Sequence, residues 1–349
     1  MKVGLVGSGR VANVHMAAYK NIENVNVVSV SDVNVEKARN FANIHGINKV
    51  FSDYKDLFEV KELDFVDICT PTSTHAKIVC DAAEFGHDIL VEKPMARNTS
   101  ECEKMILESK RHGVRLCVCH NQLFHPVVMK VMAMVDSGYY DLVSFKTSHK
   151  ENFDLLKAVG LAQSWNVTPE EKGILWEVGT HLAYLQLHFL QNVQEVYALG
   201  TRSKYPVHAE FIVLLRTPSQ RYGIIEISWL SKESEIVYEI TSSDGKRGQI
   251  LYDYDLFLEK SETPPMSIKS AVHNVYTDTK RGLQKWMQFG TNYIRKRKLL
   301  PHFNLISRYV ESLKSDSVVP VQPEDGRNTI KLLECIEESL NKNCAVKIE

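Results

Sequence analysis

An apolar run from Val3 to Val6 leads directly into Gly7-Ser8-Gly9-Arg10-Val11-Ala12, and a helical stretch follows from Val11 to Tyr19. This is G-x-G-x-x-A between a strand and a helix, a context that narrows the possible folds sharply. Gly7 permits the tight turn, Gly9 lets the backbone approach a pyrophosphate, and Ala12 is small enough for close helix packing. The helix N-terminus offers N–H groups and the positive end of its dipole to phosphates. A plain glycine turn is the competing reading, and the flanking elements favour the cofactor loop. Asp32 ends the second predicted strand, 20 residues after Ala12. A carboxylate there accepts hydrogen bonds from the adenine-ribose hydroxyls and repels a 2′-phosphate, so NAD is expected over NADP. Arg10 and Lys37 soften that preference.

The first 120 residues alternate strand and helix signals. Strands are predicted at Val3 to Val6, Val25 to Ser31, Phe65 to Cys69, Ile89 to Val91 and Leu116 to Cys119. Helices are predicted at Val35 to Ile44, Ala76 to Glu84 and Ser100 to Arg111, with Gly86 and Gly113 as stop signals. Such β-α repetition predicts a parallel sheet covered on both faces, an α/β Rossmann domain over residues 1–120. Beyond it the rhythm changes. One helix is expected from Pro126 to Asp136 and a longer one from Leu175 to Leu190. Strand-like runs follow at Gln194 to Leu199, Glu210 to Leu215, Gly223 to Trp229, Ile236 to Thr241 and Gly248 to Tyr252. Strands in sequence predict an α+β domain, residues 121–349, with a large, mostly antiparallel open sheet. Helices return at Val272 to Arg297 and Leu305 to Leu313, and a last one near 323–341 is expected to pack back near the Rossmann domain.

Length and composition exclude several classes. A chain of 349 residues exceeds one ordinary core. Hydrophobic residues at 44% and charged residues at 24% exclude wholesale disorder. A net charge of −1 does not suit a nucleic-acid partner, and no apolar run is long enough to span a membrane. The N-terminus enters its glycine loop at once, without a leader's apolar stretch. Seven scattered cysteines with no C-x-x-C read as reduced thiols. A cytoplasmic location is therefore expected.

Glu92-Lys93-Pro94 follows the predicted strand Ile89 to Val91. Charges at the carboxyl end of a buried parallel strand sit where such sheets bind ligands. A lysine's ordinary pKa of ~10.4 is too high for a good base. Burial and a cationic nicotinamide would both lower it. Without further context this tripeptide also reads as a surface ion pair ahead of a turn.

Here the sequence resembles the glucose-fructose oxidoreductase / inositol dehydrogenase (Gfo/Idh/MocA) family, along essentially its whole length. The glycine loop continues to His15, a habit of that family. Thr70-Pro71-Thr72-Ser73-Thr74-His75 resembles its segment near the nicotinamide and pyrophosphate, which implies cofactor roles for Thr70, Pro71, Thr72 and His75. Glu92-Lys93-Pro94 is similar to its most specific signature, with Lys93 in the catalytic position and Glu92 and Pro94 at the cofactor. Asn121, Phe124 and Pro126 resemble the segment after the last Rossmann strand, which implies substrate contacts for Asn121 and Phe124. Gly173 through His181 resembles G-x-L-x-D-x-G-x-H, and Asp325-Gly326-Arg327-Asn328 the start of the C-terminal helix. There are departures. Glu177 replaces the usual Asp, Tyr184 stands where an Asp often follows the His, and Gln122 and Leu123 occupy positions that often carry Arg.

The resemblance implies hydride transfer between NAD and a secondary alcohol of a sugar, sugar derivative or polyol. Glu177 and His181 are spaced i, i+4, on one face of a helix. His181 can take the hydroxyl proton near neutral pH, Glu177 can orient the ring or a substrate hydroxyl, and Lys93 can bind substrate and stabilise an alkoxide. An exposed helix pair is the competing reading. No third ligand accompanies Glu177 and His181, so no metal site is expected. Trp165 and Trp176 flank the motif and can face a sugar, although a Trp is more often core. The basic run Arg295 to Lys298 reads as a solvated helix end. A homodimer or homotetramer through the second domain's sheet is expected. Two other functions remain open: redox-neutral chemistry with tightly held NAD, and a non-catalytic NAD-binding regulator.

Overall fold

The computed structural model describes residues 1–160, 168, 172–260, 280, 282, 283, 287 and 300–348. The chain divides into two compact units. The first holds Met1–Phe124 and Leu299–Lys331, the second His125–Lys298 and Leu332–Glu349.

The first unit is built on six parallel strands: β1 Lys2–Val6, β2 Asn26–Ser31, β3 Lys49–Phe51, β4 Phe65–Ile68, β5 Asp88–Val91 and β6 Leu116–Val118. Their order is β3-β2-β1-β4-β5-β6, so the sheet runs outward in both directions from β1. That reversal opens a crevice at the carboxyl ends of β1 and β4, where doubly wound sheets bind ligands. β3 and a short helix, α3 Tyr54–Phe58, are too short and polar to stand out in the sequence. Helices α1 Arg10–Tyr19, α2 Val35–His45, α4 Thr72–Glu84 and α5 Thr99–His112 connect the other strands. Asn34 caps α2 and Asn98 caps α5, each accepting a backbone N–H, and left-handed Gly46 and Gly113 end them. A 3-10 turn, Asn121–Phe124, follows β6.

Helix α10, Leu300–Lys314, also belongs to this unit. Sequence reasoning places that segment in the second domain. The structure differs because Leu305, Ile306, Tyr309 and Val310 of α10 are buried, with the helix packed on α1 and the Asn121 turn. Tyr309 meets Phe65 edge-on at 5.2 Å. The C-terminal helix α11, Pro323–Lys342, begins in the first unit, where Glu324 pairs with Lys110 at 2.7 Å.

The second unit opens with α6, Pro126–Asp136, and carries an eight-stranded sheet. Its strands are β7 Leu142–Asn152, β8 Glu195–Thr201, β9 Glu210–Arg216, β10 Tyr222–Ser228, β11 Leu230–Ser242, β12 Arg247–Leu251, β13 Leu256–Lys260 and β14 Val346–Lys347. The order is β13-β12-β11-β7-β10-β9-β8-β14, antiparallel except where β7 meets β10. β7 is central, and the sequence does not announce it. Its buried positions include Ser144, Thr147, Ser148 and His149, so no apolar run marks it. A short helix, α7 Phe153–Ala158, follows β7. Gln186 then supplies the docking bond, donating to the carbonyls of Phe145 and Ile224 at 3.1 and 3.0 Å.

The single helix expected from Leu175 to Leu190 is two helices, α8 Ile174–Glu177 and α9 Gly179–Leu190. The Thr180 hydroxyl donates to the Trp176 carbonyl at 2.5 Å, and the His181 N–H bonds the Val178 carbonyl at 3.0 Å. Gly179 lowers helix propensity at the same place. Glu177 and His181 thus lie on either side of a one-residue interruption at Val178, whose own backbone angles stay helical. Of the predicted helix Val272 to Arg297 only residues 280, 282, 283 and 287 are described, all of them helical, and the basic run 295–298 lies outside the described residues. Among the described residues, no helix is long and apolar enough to cross a membrane.

Candidate active site

The glycine loop is shaped by its neighbours. Gly7 has φ +97°, and a Cβ there would lie 2.5 Å from the Cys69 carbonyl oxygen. Only glycine meets both demands. Its N–H bonds the Ser31 carbonyl at 2.7 Å, which draws the loop over the end of β2. Gly9 precedes α1, and no side chain caps that helix end. A Cβ on Gly9 would meet only the Lys37 ammonium, 4.0 Å away, so the mouth of the turn has room for a pyrophosphate. Ala12 is fully buried. Val11 is half-buried and Arg10 is exposed. These residues fit a dinucleotide.

Asp32 stands beside this mouth. Its Oδ2 accepts from Ser8 N at 3.0 Å and Ser8 Oγ at 2.7 Å, and its Oδ1 accepts from Asn34 N at 3.0 Å. The Lys37 ammonium is 3.9 Å away. Burial pushes the carboxyl up, but the Ser8 and Asn34 hydrogen bonds and the Lys37 charge outweigh it, and its pKa is lowered. An ionised carboxylate keeps lone pairs for ribose hydroxyls beyond those Ser8 uses.

The next loop runs from Thr70 through Pro71 into α4, which Thr72 opens. The Thr74 hydroxyl is 2.8 Å from both the Thr70 hydroxyl and the Pro71 carbonyl. His75 is fully buried, with its ring nitrogens 2.9 Å from the Thr70 carbonyl and 3.0 Å from the Pro94 carbonyl. It fastens two loops together. Lys93 is half-buried at the end of β5, ahead of a cis bond to buried Pro94.

Glu92 points into the protein. Its Oε1 meets His15 Nε2 at 2.9 Å, and its Oε2 accepts the Lys93 N–H at 3.0 Å. The other ring nitrogen of His15 meets Asp67 Oδ2 at 2.8 Å, and the Tyr19 hydroxyl donates to the same oxygen at 2.8 Å. Cys69, Cys119 and His302 complete the cluster. Sequence reasoning missed Asp67, Tyr19, Cys69, Cys119 and His302 here. Asp67 left one signal: a carboxylate inside an apolar strand must find partners when buried. His302 left none, because it arrives on α10 from far along the chain.

Asn121 and Phe124 are buried in the turn after β6. The Asn121 amide is 3.5 Å from His302, and Asn304 donates to the Phe124 carbonyl at 2.9 Å.

In the second unit, His181 is half-buried and Glu177 exposed. The His181 Nδ1 lies 2.7 Å from the Tyr184 hydroxyl. Tyr184, read from sequence only as a departure from the family pattern, is therefore the partner of that ring. Trp176 is buried, with the Lys172 ammonium 3.9 Å above its ring, so one ring face is taken by a cation. Trp165 lies outside the described residues.

Comparison with known proteins agrees with this picture. Residues 1–120 match an oxidoreductase family with an NAD-binding Rossmann fold, and residues 128–247 match the GFO/IDH/MocA C-terminal domain. The chain belongs to the Gfo/Idh/MocA family of oxidoreductases, and its first domain is that family's NAD-binding domain. It is 24% identical to an uncharacterized oxidoreductase, YrbE, of Bacillus subtilis, covering 99% of this chain and 96% of that protein. It is 23% identical to the myo-inositol 2-dehydrogenase of Thermotoga maritima, covering 100% and 99%. The fold matches the WlbA dehydrogenase of Bordetella pertussis, solved with NADH and UDP-GlcNAcA, with a TM-score of 0.81, 18% identity and coverage of 100% and 98%.

Proposed function

We propose that this oxidoreductase moves a hydride between NAD and a secondary alcohol of a sugar, sugar derivative or polyol. The observation that carries the reading is Lys93 at the carboxyl end of β5, in the same rank of loops as the glycine turn and Asp32. When bound, the nicotinamide supplies the hydride acceptor. Asp32 holds the adenine ribose, and the Gly7 to Ala12 turn holds the pyrophosphate. The Thr70 to Thr72 loop borders the cofactor.

Lys93 places a positive charge where the substrate oxygen gains alkoxide character. His181 takes the hydroxyl proton. With its Nδ1–H donated to the Tyr184 oxygen, Nε2 keeps the lone pair that this step needs. Glu177 binds a substrate hydroxyl. Asn121 and Phe124 shape the substrate side of the first unit, and Trp176 that of the second. The named activities of relatives, myo-inositol and D-apiose dehydrogenases among them, support a polyhydroxylated substrate.

The test is a cofactor-reduction screen over sugars, sugar acids, inositols and nucleotide sugars, followed by NADH absorbance. Steady NADH formation with one class supports the reading and counts against redox-neutral chemistry. Binding without turnover across the panel would favour a regulator.

The second unit's sheet also supports a homo-oligomer. Leu199, Ile212, Leu214 and Tyr222 lie on one face of β8, β9 and β10 and are 45–52% exposed. Such an apolar patch suits a second copy of the chain. None of the seven cysteines forms a disulfide, which fits a reducing, cytoplasmic setting.

A further inference from the structure

His15 lies behind Glu92 and has no contact with substrate or cofactor in the roles assigned above. His15 is fully buried, and carboxylates face both of its ring nitrogens. A neutral imidazole has one N–H and could satisfy only one of them. Two buried carboxylates without a cation would be costly. The Lys93 charge also bears on Glu92, and the ring is the cation between the two carboxylates. Burial pushes His302 down to about 4, and burial and Glu92 push the Cys119 thiol well up, so both are neutral. Burial and Asp67 likewise raise the pKa values of Tyr19 and Cys69. Burial also pushes His15 down, but the charge and hydrogen bond of Asp67 outweigh it and its pKa is raised.

The arrangement has a mechanical consequence. Glu92 has two oxygens, one engaged by His15 and the other by the N–H of Lys93. Asp67 is held in turn by Tyr19 and by the Cys69 thiol, 3.6 Å from its Oδ1. We propose that His15 is a positioning residue for Lys93: a doubly donating strut between Asp67 and Glu92 that keeps Glu92 turned toward the Lys93 backbone. The inference rests on the reading of Lys93 as catalytic. Misplacing a catalytic group by ~1 Å costs about a hundredfold in rate, so a buried strut that reaches Lys93 through Glu92 still matters.

The test has two arms. In the first, carbon-13-labelled histidine resonances of the full chain are followed from about pH 6 to about pH 9, where an ordinary imidazole titrates. The resonance lost in His15→Gln should hold its imidazolium position throughout. Should that variant not fold, Asp67→Asn should make one fixed resonance begin to titrate. In the second arm, His15→Gln should lower kcat about tenfold to a hundredfold with KM for NAD within about twofold. It should also add a limb rising with pH, because Glu92 has lost the imidazolium bound to its Oε1. His15→Gln/Glu92→Gln should lack that limb. Tyr19→Phe touches Asp67 but not Glu92, and should lower Tm while kcat stays within about twofold. A neutral His15 at pH 7, equal losses of kcat in His15→Gln and Tyr19→Phe, or one equivalent of zinc retained on the cluster would overturn the strut. Lys93→Ala with kcat intact would instead overturn the catalytic reading of Lys93 and leave the resonance result to stand by itself.

Discussion

The Nδ1 atom of His181 lies 2.7 Å from the hydroxyl of Tyr184, three residues further along the same helix. A phenol orients the ring as a carboxylate would, but it brings no charge to stabilise the imidazolium. Tyr184→Phe keeps the ring's volume and removes one hydrogen bond, worth about 1 kcal/mol. We expect kcat to fall roughly fivefold, and His181→Ala to cost more than about a hundredfold. Steady-state kinetics on the identified substrate check both. A Tyr184→Phe variant as impaired as His181→Ala would mean that the phenol itself takes part in proton transfer.

Lys93→Ala should lower kcat strongly while the Kd for NAD changes little. Its charge matters most where alkoxide character develops, so its loss appears in the transition state. Binding titration and turnover of the same preparation separate the two effects. Retention of most of kcat would remove Lys93 from the mechanism.

Asp32→Ala should weaken NAD more than NADP. The change removes acceptors for the ribose hydroxyls and a repulsion toward a 2′-phosphate. It also leaves the Lys37 ammonium, now 3.9 Å from Asp32, without that carboxylate. Titration of both cofactors measures the shift. Equal weakening would show that Asp32 serves only to hold Ser8 and the turn.

Glu177→Asp should act mainly on KM and substrate choice. Glu177 is exposed at the end of α8, and the break at Val178 separates it from the helix that carries His181. Shortening it need not move the His181 ring. Kinetics on several polyols test the point, and abolished turnover on all of them would reverse the roles assigned to the two residues.

Acid should weaken the fold below neutrality. Burial pushes His120 down to about 3 and His302 down to about 4, in each case below the unfolded value. Their stability is full above about pH 6.5 and is lost as pH falls, because the unfolded chain then binds protons that the folded one does not. By about pH 5 each costs on the order of 2 kcal/mol. His15 has the opposite sign: its contribution is full at low pH and fades as pH rises through its raised value. Tm should therefore fall between about pH 7 and about pH 5, and His302→Gln should make that fall shallower. An unchanged slope in His302→Gln would remove it as a source of acid lability.

Local chemistry determined much of this protein by itself. Gly7, Gly9 and Ala12 between a strand and a helix, with Asp32 after the second strand, specify a cofactor turn because each acts on backbone within a few residues. The helix stop at Gly113 and the apolar run of β9 are legible for the same reason. The tertiary structure decided what local signals could not carry. β7 is polar in sequence because its buried hydroxyls face partners such as the Ile224 carbonyl, which bonds Thr147 at 3.4 Å from another strand. α10 joins the first unit because its apolar face fits α1, nearly three hundred residues earlier in the chain. The single helix expected over Glu177 and His181 is interrupted at Val178, where the His181 N–H turns to the Val178 carbonyl. The charge on His15 depends on Asp67 and Glu92, which only the folded sheet brings to its two nitrogens. Local sequence sets what a residue can donate or accept, and the fold alone sets what it meets.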